Sequence, residues 1–289
     1  MKKITIDESK CIHCGKCISD CITSCIDFNE NNIPYMKHEE SCISCQHCLA
    51  ICPTGALTFN DKNPDNSEPT DYDSILGLIK SRKSIRQYKQ EEIDAETWDK
   101  LKTMLPYIPT GCNSHALHFS IIETKSAMDT IRNNVNEKIK KLLSSKALSP
   151  ITQKFGPYKD AFMNGYDIIF RNAPHMVVVS SPINAPCARE DGIIALSYLE
   201  LYARHLKLGT CWCGLAHFCI KFMPEISEML EIPTGYTPIY AILLGKPDVE
   251  YPRTTQPEAY KINSIKEVKK ENSCICCKIK RFFTNILPR

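Results

Sequence analysis

The chain has 289 residues, 43% hydrophobic and 24% charged, with 17 cysteines and a formal net charge of +3. No run approaches the ~18 consecutive apolar residues that a membrane-spanning helix needs, and no concentrated basic stripe is present, which excludes nucleic acid as a natural partner. The charge is uneven: residues 1–60 carry five Lys against seven Asp plus Glu, a net −2, leaving +5 on the remainder, so an acidic head precedes a mildly basic body.

The head opens with two copies of one cysteine spacing. CIHCGKCISDC carries Cys11, Cys14, Cys17 and Cys21, and CISCQHCLAIC carries Cys42, Cys45, Cys48 and Cys52. Two residues between successive cysteines let a tight loop aim three thiolates at one face of a cubane while the fourth reaches elsewhere, so each run reads as an iron–sulfur ligand set. Disulfides are disfavoured. The start, MKKITIDESK, has no apolar stretch of signal-peptide type, the expected compartment is cytoplasmic, and a reducing cytosol opposes cystine. Zinc ribbons use paired knuckles with four ligands per ion, a different spacing. The duplication continues past the ligands: CITSCIDFNE aligns with CPTGALTFND, setting Ile22 against Pro53 and Cys25 against Ala56.

Over about the first sixty residues this repeat resembles the bacterial-type two-cluster ferredoxin domain. In that family the fourth thiolate of each run serves the other cluster. The resemblance therefore implies one 4Fe–4S centre on Cys11, Cys14, Cys17 and Cys52, and a second on Cys42, Cys45, Cys48 and Cys21. Ile22 departs from the family's usual proline, and Cys25 reads as a buried thiol in a core position.

NDKNPDNSEPT, residues 60–70, is polar and proline-containing and reads as a linker. The expected organisation is a head at 1–59, the linker at 60–70, a second domain at 71–260 and a tail at 261–289. Beyond the linker, Ile75, Leu76, Leu78 and Ile79 share one helical side ahead of a basic group at Arg82, Lys83 and Arg86. Asp94 is the predicted N-cap of a helix running through Trp98 and Leu101 to Leu105, where Pro106 stops it. Extended segments are predicted at 117–122, 176–180 and 238–244, with a helix over 189–208 closed by Gly209. No Gly-x-Gly-x-x-Gly turn follows a strand, so a Rossmann dinucleotide domain is not indicated.

Five stretches occur in a telling order: SRKSIRQY (81–88), PTGCNSH (109–115), FRNAPHMVVVSS (170–181), LGTCWCG (208–214) and LLGKP (243–247) with Arg253 downstream. Together they resemble the FMN-dependent nitroreductase family over about residues 72–256, and the whole chain resembles a ferredoxin–nitroreductase fusion. The implied fold class is α+β: a small ferredoxin-like domain followed by a nitroreductase-like α/β flavin domain, with a central mixed or antiparallel sheet flanked by helices, assembled as a homodimer. The resemblance implies FMN held at its phosphate by Arg82, with Lys83 in the same motif, Arg253 and Lys246 completing the clamp and Ser84 adding a hydroxyl. It places Arg86 near N1 and O2, where fixed positive charge favours the reduced flavin. Backbone N–H groups of Cys213 and Gly214 are expected beside N5 and O4, and Thr110, Gly111 and Asn113 are expected to reach the flavin from the partner subunit. His115 and Leu117 depart from the family's Gln and aromatic residue, which bears on the substrate.

The implied activity is that of an FMN oxidoreductase in which electrons pass between two 4Fe–4S clusters and the flavin, whose N5 is the reactive centre. The acceptor is a small organic molecule of nitroaromatic, quinone-like or enone-like class. A ferredoxin or another low-potential carrier is the expected donor, NAD(P)H is the alternative donor, and a non-catalytic electron carrier is the competing reading. No side chain is expected as a catalytic acid; His115, His118, His175 and His217 read as hydrogen-bonded structural residues. Cys211, Cys213 and Cys219 read as buried thiols, and Cys274, Cys276 and Cys277 as part of a docked or frayed tail.

Overall fold

The cysteine repeat folds as a repeat. In the computed structural model, which describes residues 3–145 and 148–267, the head comprises β1 (Ile4–Ile6), α1 (Lys16–Ser19), β2 (Ile26–Phe28), β3 (Pro34–Met36), α2 (His47–Ile51) and β4 (Leu57–Phe59). β1 pairs antiparallel with β4, and β2 with β3. Left-handed backbone recurs at matched positions of the two copies: His13 and Ser44, Gly15 and Gln46, Ser24 and Gly55. Such turns direct successive amide N–H groups inward, toward where negative charge collects. Ile4, Ile26, Leu49, Leu57 and Phe59 form the small core between the copies.

The body continues with α3 (Ile75–Ser81), α4 (Ala95–Met104), β5 (His118–Ile122), α5 (Lys125–Ser144), α6 (Pro150–Phe155), α7 (Lys159–Met163), β6 (His175–Pro182), α8 (Ala188–His205), β7 (Gly209–Trp212), α9 (Gly214–Phe222), α10 (Pro224–Met229) and β8 (Tyr236–Gly245). Its sheet is antiparallel throughout, in the order β5-β6-β8-β7. Side chains of β6 and β8 alternate between two cores, as a two-residue period demands. Met176, Val178, Ala241 and Leu243 face α5 and α9, whereas Val177, Val179, Ile242 and Leu244 face α4 and α8. The sheet is therefore covered on both faces, which explains why the central strands read as near-continuous apolar runs. No described helix is long and apolar enough to cross a membrane.

Several expectations are refined. Asp94 caps α4 as predicted, accepting from the Thr97 N–H at 2.8 Å. The helix predicted to end at Gly209 stops at His205, and Lys207, not glycine, takes the left-handed position (φ 59°). Gly209 instead opens β7, where a Cβ would lie 2.8 Å from the Ile85 side chain. Of the four apolar residues on α3 only Leu78 is buried; Ile75, Leu76 and Ile79 face solvent. The unpredicted α5 carries Met128, Ile131, Val135 and Ile139 inward at helical spacing. The cysteines of the tail lie outside the described residues.

Head and body are not tethered loosely. Met1–Gln256 forms one unit, and Pro257–Arg289 a second whose described residues contain no helix or strand. Within the first unit the 60–70 segment is strapped to the far end of the body: Glu68 and Thr254 exchange hydrogen bonds, at 3.2 Å to the Thr254 hydroxyl and 2.8 Å to the Glu68 carbonyl. Ala50 and Ile51 of α2 belong to the same core as Ile85, Tyr88 and Tyr251. Ile51→Ala removes a fully buried side chain from that shared core and is expected to cost ~2–5 kcal/mol. Thermal unfolding should remain a single transition at a lower temperature; two separate transitions in the parent protein would show that the modules do not share a core.

Candidate cluster and cofactor site

Each run delivers its third cysteine on a short helix, Cys17 on α1 and Cys48 on α2, and its fourth just past that helix. Because α1 and α2 pack together, the fourth cysteine of each copy arrives beside the loop of the other. One apolar cavity is lined by Cys11, Cys14, Cys17 and Cys52 with Ile12, Pro34 and Leu57. Another is lined by Cys21, Cys42, Cys45 and Cys48 with Cys25, Ile43 and Phe59. The fourth thiols are steadied alike: the Cys25 N–H donates to Cys21 Sγ at 3.4 Å and the Ala56 N–H to Cys52 Sγ at 3.3 Å. Burial, and next the Cys52 thiolate, push the Cys17 thiol up to about 12. Four such groups become thiolates together only against cationic iron, so this donor set in an apolar, amide-lined cavity fits a 4Fe–4S cubane.

The turn after α3 docks on the edge of the body's sheet, where the Ile85 N–H donates to the Thr210 carbonyl at 2.8 Å and Ser84 bridges Thr210. This seats the basic motif. Arg82 Nε lies 3.4 Å from Glu200, a buried carboxylate that also accepts from Trp212 Nε1 at 3.0 Å and the Thr210 hydroxyl at 3.3 Å. Arg86 donates to the Ser84 carbonyl at 3.2 Å and turns its guanidinium toward the Cys211 thiol. Lys83 is only 4% exposed, and its ammonium, like Arg204 Nε, has no hydrogen-bond partner. Burial first, then Arg204 and Arg82, push the Lys83 amine down to about 8. Buried cations short of counter-charge fit the dianionic phosphate expected at this motif.

Other expected contributors are directed differently. Arg253 donates to the carbonyls of Leu49 and Cys52 in the head, and Lys246 pairs at the surface with Glu91 at 3.3 Å. The Cys213 N–H already donates to the Ala241 carbonyl at 2.9 Å, so of the two predicted backbone donors Gly214, the first residue of α9, is the one in the helix's open first turn. The Cys213 thiol caps that helix, accepting from the Ala216 N–H at 3.3 Å, and burial keeps it neutral, up to about 12. A Cβ on Gly214 would come within 3.0 Å of the Tyr240 hydroxyl. In the 109–115 loop, Cys112, Asn113 and His115 are all left-handed (φ 54°, 51° and 46°). Asp191 pins this loop by accepting from the Gly111 N–H at 2.8 Å, and the Thr110 hydroxyl accepts from the His115 N–H at 3.0 Å. His175 is structural: Nε2 accepts from the Ile93 N–H at 3.1 Å and Nδ1 lies 3.3 Å from the Ile122 carbonyl.

Four residues that sequence reasoning did not single out join the head to this site. The Tyr251 hydroxyl donates to Asp20 at 2.9 Å, Gln87 Nε2 donates to Asp20 at 3.0 Å, and His47 Nδ1 lies 3.3 Å from both Asp20 and the Tyr251 hydroxyl. Burial and the Asp20 charge hold the tyrosine protonated, far above its ordinary range. The pairing of Asp20 with Tyr251 spans nearly the whole chain and has no local signal.

A model of the Nitroreductase family matches residues 79–246. The chain belongs to the nitroreductase family. Ahead of that match, the model of a 4Fe-4S dicluster domain covers residues 4–59, so this nitroreductase-family chain carries the dicluster module on the N-terminal side of its flavin-family domain. It is similar to an iodotyrosine deiodinase of Thermotoga neapolitana, 23% identical over 197 residues, 62% of this chain and 93% of the relative. Its fold is that of a nitroreductase with bound FMN from Desulfitobacterium hafniense (TM-score 0.53, 22% identity, 66% of this chain and 98% of that one). A nitroreductase with bound FMN from Bacteroides fragilis is similar at a TM-score of 0.52 and 20% identity, over 68% of this chain and 100% of that one.

Lys83 makes the cofactor-free nitroreductase fold sensitive to pH. In the folded protein its amine is down to about 8, below the ordinary lysine value of 10.5, so between these values the unfolded chain binds more protons, and stability should climb as pH rises through that window. Lys83→Met should raise the melting temperature of the cofactor-free protein at pH 7 and flatten the rise between about pH 8 and 10; an unaltered slope would contradict the assignment.

Proposed function

We propose that this protein is an FMN-dependent oxidoreductase that takes electrons through two 4Fe–4S clusters and passes them to a small organic acceptor of nitroaromatic, quinone-like or enone-like class. The observation that carries the reading is the common core: α2, which bears Cys48, packs Ala50 and Ile51 into the core that also holds Ile85 of the basic motif. A module docked this firmly has a fixed separation from the site beside it. Bound FMN supplies the conversion between single electrons and pairs that one-electron clusters require.

In this reading Arg82, Lys83 and Ser84 hold the phosphate, and Arg204 adds charge behind Lys83. Glu200 fixes the direction of Arg82. Arg86 would lie toward the N1 and O2 edge of the ring, where its charge would stabilise the reduced form, and the Gly214 N–H would donate toward the N5 and O4 edge, aided by the positive end of the α9 dipole. Thr110, Gly111 and Asn113 complete the site from a second copy in a homodimer. Support comes from their exposed, left-handed loop and from Ile194 and Tyr198, apolar residues that α8 leaves at the surface. Protons come from solvent: His175 is engaged in structural hydrogen bonds, and His217, expected to be hydrogen-bonded, instead stacks on Tyr240 with its Nδ1 unpartnered.

The protein purified without oxygen should hold about eight irons, about eight sulfides and FMN. Mixing it with reduced ferredoxin should bleach the flavin band, and Cys45→Ala should abolish that bleaching while FMN content is retained. Undiminished bleaching in the variant would remove the clusters from the path; bleaching by NAD(P)H alone would make hydride the source of electrons.

A further inference from the structure

The duplicated cysteine runs have unlike surroundings. Asp20, before Cys21, corresponds to Ile51 before Cys52, and His47, before Cys48, corresponds to Lys16 before Cys17. These differences concentrate where the head meets the flavin motif. Asp20, His47 and Tyr251 are all buried and mutually in contact, and Gln87, the neighbour of Arg86, donates to Asp20. Asp20 immediately precedes Cys21 and His47 immediately precedes Cys48, so these contacts tie two members of one ligand set to Tyr251 and to the segment that carries Arg86. The other ligand set meets the body through Arg253, which donates to the Cys52 carbonyl, and through the apolar side chain of Ile51 beside Cys52, where the twin run has the Asp20 carboxylate.

We propose that the cluster on Cys21, Cys42, Cys45 and Cys48 is the one that exchanges electrons with the flavin, and that the Asp20–Tyr251 hydrogen bond is the positioning contact that seats this ligand set beside the segment carrying Arg86. This inference rests on the cluster-and-flavin reading above. One electron leaves the reduced cluster, which becomes oxidised, and arrives at the flavin. The cluster on Cys11, Cys14, Cys17 and Cys52 replaces it, and is itself reduced by a low-potential one-electron donor of the ferredoxin class. Two such passages, with protons from solvent, match the two-electron reduction of one acceptor. Asp20 also places a buried negative charge beside one ligand set and not its twin, which disfavours adding an electron there and separates the two potentials.

The test uses the full-chain protein carrying both clusters and FMN, with Asp20→Asn and Tyr251→Phe, both close in shape to the originals. Iron, sulfide, FMN content and melting temperature establish that each variant is loaded and folded. Electron paramagnetic resonance titration gives the midpoint of each cluster, with Cys45→Ser identifying which signal belongs to its set. Asp20→Asn should raise the midpoint of that cluster and leave the other where it was. Tyr251→Phe should slow flavin bleaching after flash reduction of the clusters about tenfold or more. A shift confined to the other cluster, no shift at all, or an unchanged bleaching rate in loaded Tyr251→Phe overturns the inference while leaving the wider function standing. A parent protein whose reduced clusters never bleach its flavin contradicts the function itself.

Discussion

Asp20 is a carboxylate taken out of water at the seam between two modules, and its satisfaction organises the molecule. An unpaired buried carboxylate would be prohibitive, whereas hydrogen bonds to a charged group contribute about 1.5–3 kcal/mol each. The donors come from the body, Tyr251 after the last strand and Gln87 in the flavin motif. The head therefore cannot leave the body without exposing or stranding that charge. The strap from Glu68 to Thr254 and the hydrogen bonds between Gln46 and Gln256 act at the same seam. Electron transfer depends steeply on distance, so under the proposed function a fixed junction of this kind would hold the head at a constant separation from the flavin site.

Duplication supplies the head with two equivalent thiol cavities, and divergence at a few positions makes them unequal. The cavity walls stay alike: Ile12 answers Ile43, and the paired N–H donors to Cys21 and Cys52 are nearly superposable in length. What differs lies both inside the head and at the seam: Cys25, in the head's own core, replaces Ala56 beside the second cavity, its Sγ 3.4 Å from Cys21, and Asp20, bonded to Tyr251, replaces Ile51.

Much of this was legible in the sequence where the physics is local. The cysteine spacing marks two like thiol runs, and the ferredoxin resemblance implied how their eight members divide into two sets. The Asp94 cap and the apolar runs of β6 and β8 likewise follow from neighbouring residues. The flavin motif was legible as a basic cluster, yet its internal arrangement was not: whether Cys213 has a free N–H depends on its pairing with Ala241, and Arg253 is drawn to carbonyls of Leu49 and Cys52 that are some two hundred residues away. Residues 60–70 look like a linker because they are polar, but polar backbone also pairs well, and here Thr254 and Gln256 supply partners. Glu200 and Asp191 are invisible in sequence because each is one acidic residue on a helix with many polar positions; only folding brings them under Arg82 and Gly111.

The most direct measurement is anomalous diffraction at the iron edge from crystals grown without oxygen. Two compact four-iron peaks should appear, one ringed by Cys11, Cys14, Cys17 and Cys52 and the other by Cys21, Cys42, Cys45 and Cys48, with flavin density between Arg86 and Gly214 on the side of the second. Iron absent from either cavity, or a flavin ring lying apart from Arg86 and nearer the first cluster, would contradict a wire built into this chain.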